Sequence, residues 1–115
     1  MKDRLWKIYE NWEIELDKNE WYFSDCYDEL TENLSSSDAY DAIPAVLDVL
    51  LHVKDTYLVN ETLDFLLIIY NIADTTEVHP ILLAEWHEIN RKLEQMGDSF
   101  SVSAWDELRQ MLRIT

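Results

Sequence analysis

The chain has 115 residues, one glycine and two prolines, and a formal charge of −15 from 24 acids against nine bases. Its length suits one domain, residues 1–115, and the scarcity of turn residues argues against a many-stranded sandwich or barrel. Apolar residues at 48% and five tryptophans exclude a disordered acidic tail, and the charge makes nucleic acid and anionic membranes poor partners.

Apolar spacing predicts six helices and no strand. The first, about Lys2–Lys18, sets Leu5, Ile8, Tyr9, Trp12 and Leu16 on one face. The second, about Trp21–Leu34, does so with Phe23, Cys26, Tyr27, Leu30 and Leu34. Ser35-Ser36-Ser37-Asp38 then reads as a short loop, because such side chains compete for backbone hydrogen bonds. A third helix is expected over Ala42–Lys54, with Asp41 as N-cap and Pro44 in the first turn, where its missing N–H costs little. Ile43, Val46, Leu47, Leu50 and Val53 form its buried stripe. Asp55 can cap a fourth helix, about Thr56–Ala73, with Asn60 as a competing start. That helix is apolar on most of its circumference, which places it mid-domain. The fifth begins near His79-Pro80 and carries Leu82, Leu83, Trp86, Ile89, Leu93 and Met96, with Gly97 suited to a left-handed position past its end. Ser103 and Asp106 resemble a capping box opening a sixth helix through Trp105, Leu108, Met111 and Leu112. The expected fold is all-α, with these helices packed as antiparallel hairpins.

The stretch from Asp41-Ala42-Ile43-Pro44 to Leu51, then from Asp55 to Leu66, resembles a HEAT-type repeat. In that pattern one helix opens on Asp-Ala-Ile-Pro, an Asp marks the turn, and the second helix is apolar near Leu58, Leu63 and Leu66. Thr62 stands where the pattern has a small alanine, and no second copy is plain further on. The resemblance implies a helical hairpin at residues 41–73, in a short curved stack or a closed bundle.

Cys26 is the only cysteine, so no disulfide can form within the chain and a cytoplasmic setting is expected. The first eighteen residues mix charges throughout and lack the apolar stretch of a signal peptide. The longest apolar run, Phe65–Tyr70, is far short of the roughly 20 residues a membrane span needs.

Catalytic motifs fail on inspection. His87-Glu88-Ile89-Asn90-Arg91 begins like a zinc-protease motif, but Arg91 stands where the second imidazole must be. One glycine cannot build a phosphate-binding loop, and Cys26 lies on an apolar helix face, where a structural thiol is expected. Asp25, Asp28, Glu29 and Glu32 lack the glycine and ligand order of a calcium loop and read as a solvated acidic face. No catalytic residue, metal or cofactor is therefore expected. Trp12, Trp86 and Trp105 share faces with aliphatic residues and read as core, whereas the pair Trp21-Tyr22 is expected to be partly exposed.

Charge is distributed unevenly. Residues 19–90 hold fifteen acids and one base, Lys54, and so carry −14 of the total. Self-repulsion destabilises a compact fold, and the compensating gain is either solubility or recognition of a basic partner. Exclusion of bases from the central helices favours recognition. On the fourth helix Tyr57, Glu61, Asp64, Ile68 and Asn71 recur at helical spacing, combining anchors with steering charge. Tyr22, Asp25, Asp28, Glu29 and Glu32 offer a second candidate row. A small, acidic, aromatic-rich helical chain of this kind resembles bacterial toxin-immunity proteins, including those paired with contact-dependent inhibition toxins. The resemblance implies a non-enzymatic inhibitor, monomeric before binding, that engages a basic, nuclease-type toxin domain. A HEAT-like adaptor subunit is the alternative, followed by a small helical enzyme.

Overall fold

The computed structural model describes residues 1–113. Regular structure among them is helical throughout: α1 Lys2–Glu10, α2 Trp12–Lys18, α3 Tyr22–Thr31, α4 Ser36–His52, α5 Thr56–Ala73, α6 Pro80–Ala84, α7 Trp86–Met96 and α8 Ser99–Met111. The all-α class is as expected, with eight helices among the described residues in place of six. Two expected helices are interrupted. Asn11, at φ −125° and ψ 35°, separates α1 from α2, and Glu85, at φ −100° and ψ 7°, separates α6 from α7. An asparagine side chain competes with the helical backbone, which favours a break at Asn11. The second break turns Leu83 outward, while Leu82, Ile89 and Leu93 stay buried.

Four helix starts carry side-chain caps, among them His79 at α6, whose ring nitrogen accepts from the Ile81 N–H at 3.1 Å. Ser35 does not extend a loop; its side chain accepts a hydrogen bond from the Asp38 N–H at 3.0 Å and caps α4 six residues ahead of Asp41, the expected cap. The hydroxyl's affinity for backbone N–H groups, which suggested a break, here starts a helix. Pro44 consequently lies inside α4 and leaves the Tyr40 carbonyl without its usual intrahelical donor. Asp55 caps α5 as expected, accepting from the Tyr57 N–H at 2.8 Å. Asp98, not Ser103, caps α8: it accepts from the Phe100 and Ser101 N–H groups, while the Ser101 hydroxyl accepts from the Asp98 N–H. Gly97 is not left-handed, at φ −80° and ψ 167°; its glycine is needed for room, since a Cβ there would lie 2.5 Å from the Leu93 carbonyl oxygen. The left-handed residues are Asp74, closing α5, and Arg113, just past α8.

The helices form two layers. In one, α3 and α8 flank α5 and run in its direction. Phe23 and Tyr27 of α3 meet Tyr57 and Phe65 of α5, while Asn60 meets Ser101 near one end and Asn71 shares a hollow with Met111 near the other. The other layer holds α1, α4 and the α6–α7 pair, with α4 central. The Lys2–Asp48 ion pair at 2.9 Å ties α1 to α4, and Lys92 of α7 donates to the Leu51 and Val53 carbonyls at the end of α4. Hence α1–α3, α4–α5 and α6–α8 are three successive hairpin units. The described chain measures 40 × 34 × 21 Å, and its thin dimension suits two layers of helices packed about 8–10 Å apart. Between the layers lie Ile43, Leu47, Leu50, Phe65, Leu66 and Ile69, all fully buried. No helix among the described residues is long and apolar enough to cross a membrane.

A buried row of hydroxyls joins the first hairpin to the second. Thr62 donates to the Leu58 carbonyl at 2.7 Å, leaving its oxygen to accept from Tyr9 at 2.9 Å. Tyr9 then accepts from Tyr27 at 3.0 Å, and Tyr27 also lies 3.3 Å from the Glu61 carbonyl. Each hydroxyl has one proton and each finds an acceptor, so the row is satisfied at no polar cost. Thr62→Val takes away the Tyr9 acceptor, so that Tyr9 must donate to Tyr27 and Tyr27 to the Glu61 carbonyl at the longer 3.3 Å, at a cost of about 1 kcal/mol in urea unfolding. Adding Tyr9→Phe should cost less than Tyr9→Phe does alone, because the Thr62 bond is already gone and Tyr27 can still reach the Glu61 carbonyl. Two additive losses would contradict the bonding scheme.

Candidate partner-binding face

Helix α5 is buried on most of its surface because it has neighbours on three sides: α4 beneath and α3 and α8 alongside. Its remaining side carries Tyr57, Glu61, Asp64, Ile68 and Asn71. The structure therefore brings the predicted stripe together on the outward face of the central helix. Tyr57 is 43% exposed, Asp64 and Asn71 are exposed, and Glu61 and Ile68 are half-buried.

Tyr57 is held in place from two directions. Its ring stacks on Trp12 at 4.9 Å between centroids and 10° between planes, and Phe23 lies 5.9 Å away. Trp12, expected in the core, is half-buried at the edge of this face. The break at Asn11 separates it from the α1 stripe, a long-range consequence that spacing alone does not reveal.

The carboxylates on α5 have no counter-ion among the described residues. Among the described residues the carboxylate partners of Lys and Arg are Asp48, Glu15, Glu88 and Asp106, and neither Glu61 nor Asp64 is among them. Burial, followed by the charge of Asp64, pushes the Glu61 carboxyl up to about 7. Asp64 is raised by burial and then by Glu107 of α8, a neighbour sequence reading missed because it belongs to another helix. Asp98, by contrast, is lowered by hydrogen bonds from the Ser101 backbone and the Asn60 side chain.

On α3, Phe23, Tyr27 and Leu30 point inward, leaving Asp25, Asp28, Glu29 and Glu32 exposed. Asp25 accepts a hydrogen bond from Asn19 at 3.1 Å. Glu29 turns toward α1 and lines a cleft of about 610 Å³ with Arg4, Lys7, Tyr22 and Cys26. Tyr22 is half-buried, its hydroxyl donating to the Ile8 carbonyl at 2.6 Å, whereas Trp21 is 64% exposed. Burial raises the Cys26 thiol, opposed by a hydrogen bond involving Tyr22. Trp86 and Trp105 pack together at 4.3 Å, with the Trp105 indole donating to Asn90. Phe100 and Val102, 75% and 52% exposed, were not singled out from sequence; the one available signal is that both lie off the Trp105, Leu108 and Leu112 stripe.

No family model, curated protein or solved structure matches this chain in comparison. The reading of this face accordingly rests on its own chemistry.

The Glu61 carboxyl faces Asp64 and lies near the phenols of Tyr9, Tyr27 and Tyr57, with no described base paired to it. Its folded-state pKa, about 7, exceeds the ordinary 4.5, so the folded state takes up the proton first. The resulting stability is fully present below the ordinary value and is lost as pH rises through about 7. Glu61→Gln should therefore match the parent in stability at about pH 4.5 and exceed it at about pH 8 by roughly 1–2 kcal/mol, allowing for solvent screening. Urea unfolding at the two pH values measures the difference. An equal effect at both would contradict a raised Glu61.

Proposed function

We propose that the chain is a non-enzymatic inhibitory binding protein, acting as an immunity protein that neutralises a basic, nuclease-type toxin domain in the cytoplasm. The partner docks on the outward face of α3, α5 and α8. The observation that carries this reading is the uncompensated charge of that face: Asp64 bears on Glu61 and Glu107 on Asp64, with no described base paired to Glu61 or Asp64. Lys2 and Lys92, in contrast, are engaged by α4 in the opposite layer. A carboxylate raised first by burial and then by a neighbouring like charge is stabilised in its ionised form when a cation arrives from outside. The partner's lysines and arginines would supply it, with steering of the encounter as a further gain.

The architecture suits this role. We read the three hairpins as a short HEAT-like stack, with α4–α5 as its most regular unit and Asp55 at the turn. Such a stack presents one layer of parallel helices as a continuous binding surface. A second reading, an adaptor subunit of a larger assembly, draws on the exposed Ile81, Leu83, Phe100 and Val102 of the last hairpin unit. It would bring association through that apolar edge, with the acidic face uninvolved.

Surface plasmon resonance against the product of the adjacent gene tests the first reading. Glu61→Lys combined with Asp64→Lys should slow association at least tenfold at low salt and flatten its salt dependence, with circular dichroism confirming the fold. Unchanged rates and an unchanged salt slope would remove this face from the interface. Leu83→Asp and Val102→Asp should leave both rates as they are; loss of binding through these substitutions would favour the adaptor reading.

A further inference from the structure

Partners of the acidic face are distinguished by more than charge. Trp12 and Tyr57 form a stacked pair at 4.9 Å and 10°, with part of Tyr57 open to solvent. Phe23 supports the pair from within, at 5.9 Å from Tyr57 and 6.2 Å from Trp12. The Tyr57 backbone is fixed as well, because its N–H donates to the Asp55 cap. One helical turn along the same stripe stands Glu61, half-buried and without a described base. Residues four apart on a helix are neighbours, so a rigid aromatic surface and an unpaired carboxylate lie side by side.

We propose that the Trp12–Tyr57 pair and the Glu61 carboxylate together receive an arginine side chain of the basic partner. This rests on the reading of the acidic face as the docking surface. A guanidinium is planar and weakly hydrated, so it can lie against an aromatic ring while its edge donates two hydrogen bonds to a carboxylate. An ammonium gains the charge but loses the flat contact and the paired geometry. Asp64, one turn further and exposed, adds field without competing for the aromatic surface. The site therefore selects arginine over lysine, while the rest of the face selects positive charge of either kind.

The probes are two fluorescent nonapeptides of equal charge, one carrying four arginines and the other four lysines among glycine and serine. Their binding to the full chain is read by fluorescence anisotropy at low and moderate salt. The arginine peptide should bind about 3- to 10-fold more tightly. Tyr57→Leu should abolish that preference by weakening the arginine peptide more than the lysine peptide, with the salt slope of both retained. Glu61→Gln, which introduces no new charge and should not weaken the fold at about pH 7, should also cut the preference. Equal binding of both peptides by the parent, or a preference that survives in Tyr57→Leu and Glu61→Gln, would overturn the arginine site. If that binding still weakened with salt and with Asp25→Asn, Asp28→Asn and Asp64→Asn combined, the acidic-face reading would stand without it. Failure of both peptides to bind would overturn both.

Discussion

The hydroxyl row from Tyr27 through Tyr9 to Thr62 is the contact on which the position of the first hairpin depends. It joins α1 and α3 to α5 across 53 positions of sequence between Tyr9 and Thr62, inside a largely apolar interior. Apolar side chains tolerate sliding, whereas a chain of donors and acceptors is satisfied in one register only. That register sets Phe23 against Tyr57 and Tyr27 against Phe65, and so brings α3 alongside α5. It also brings Trp12 onto Tyr57. Without this docking the stripe on α5 would lose both its aromatic neighbour and the acidic row of α3.

Electrostatics and packing then oppose one another on the outward face. Burial by α3 and α8 raises the energy of an ionised Glu61, and Asp64 raises it further. The same burial places the carboxylate beside a fixed aromatic pair. No described base is paired with Glu61, while Lys2 is held by Asp48 and Lys92 by the carbonyls ending α4. The fold thus retains an electrostatic cost that a cationic partner can remove, which is the physical content of the proposed binding role.

Local signals in the sequence were read well where one residue acts on its own backbone. Asp55 caps α5 as its position indicates, and the α5 stripe faces outward as its spacing indicates. Ser35 shows the limit of such reading, because the same side-chain chemistry can interrupt a helix or begin one. The choice depends on what the following turns can bury. Pro44 lies inside the helix and not in its first turn for the same reason, since its position follows from where the cap falls. Thr62 stood out from sequence only as a departure from the alanine of the repeat pattern. Its purpose lies in Tyr9, and nothing local to either residue announces the other. Trp12 and Glu107 were hidden likewise: one depends on a break at Asn11, the other on the parallel packing of α8 against α5.

The central claim, that the α3–α5–α8 layer is the working surface, is tested most directly by nuclear magnetic resonance. The isotopically labelled chain is titrated with the product of the adjacent gene while backbone amide shifts are followed along every helix. The account predicts perturbations centred on Tyr57–Asn71 of α5 and Asp25–Glu32 of α3, extending to Glu107, with the outward residues of α1, α4 and α7 unchanged. Perturbations confined to α1, α4 and α7, with α5 silent, would contradict it.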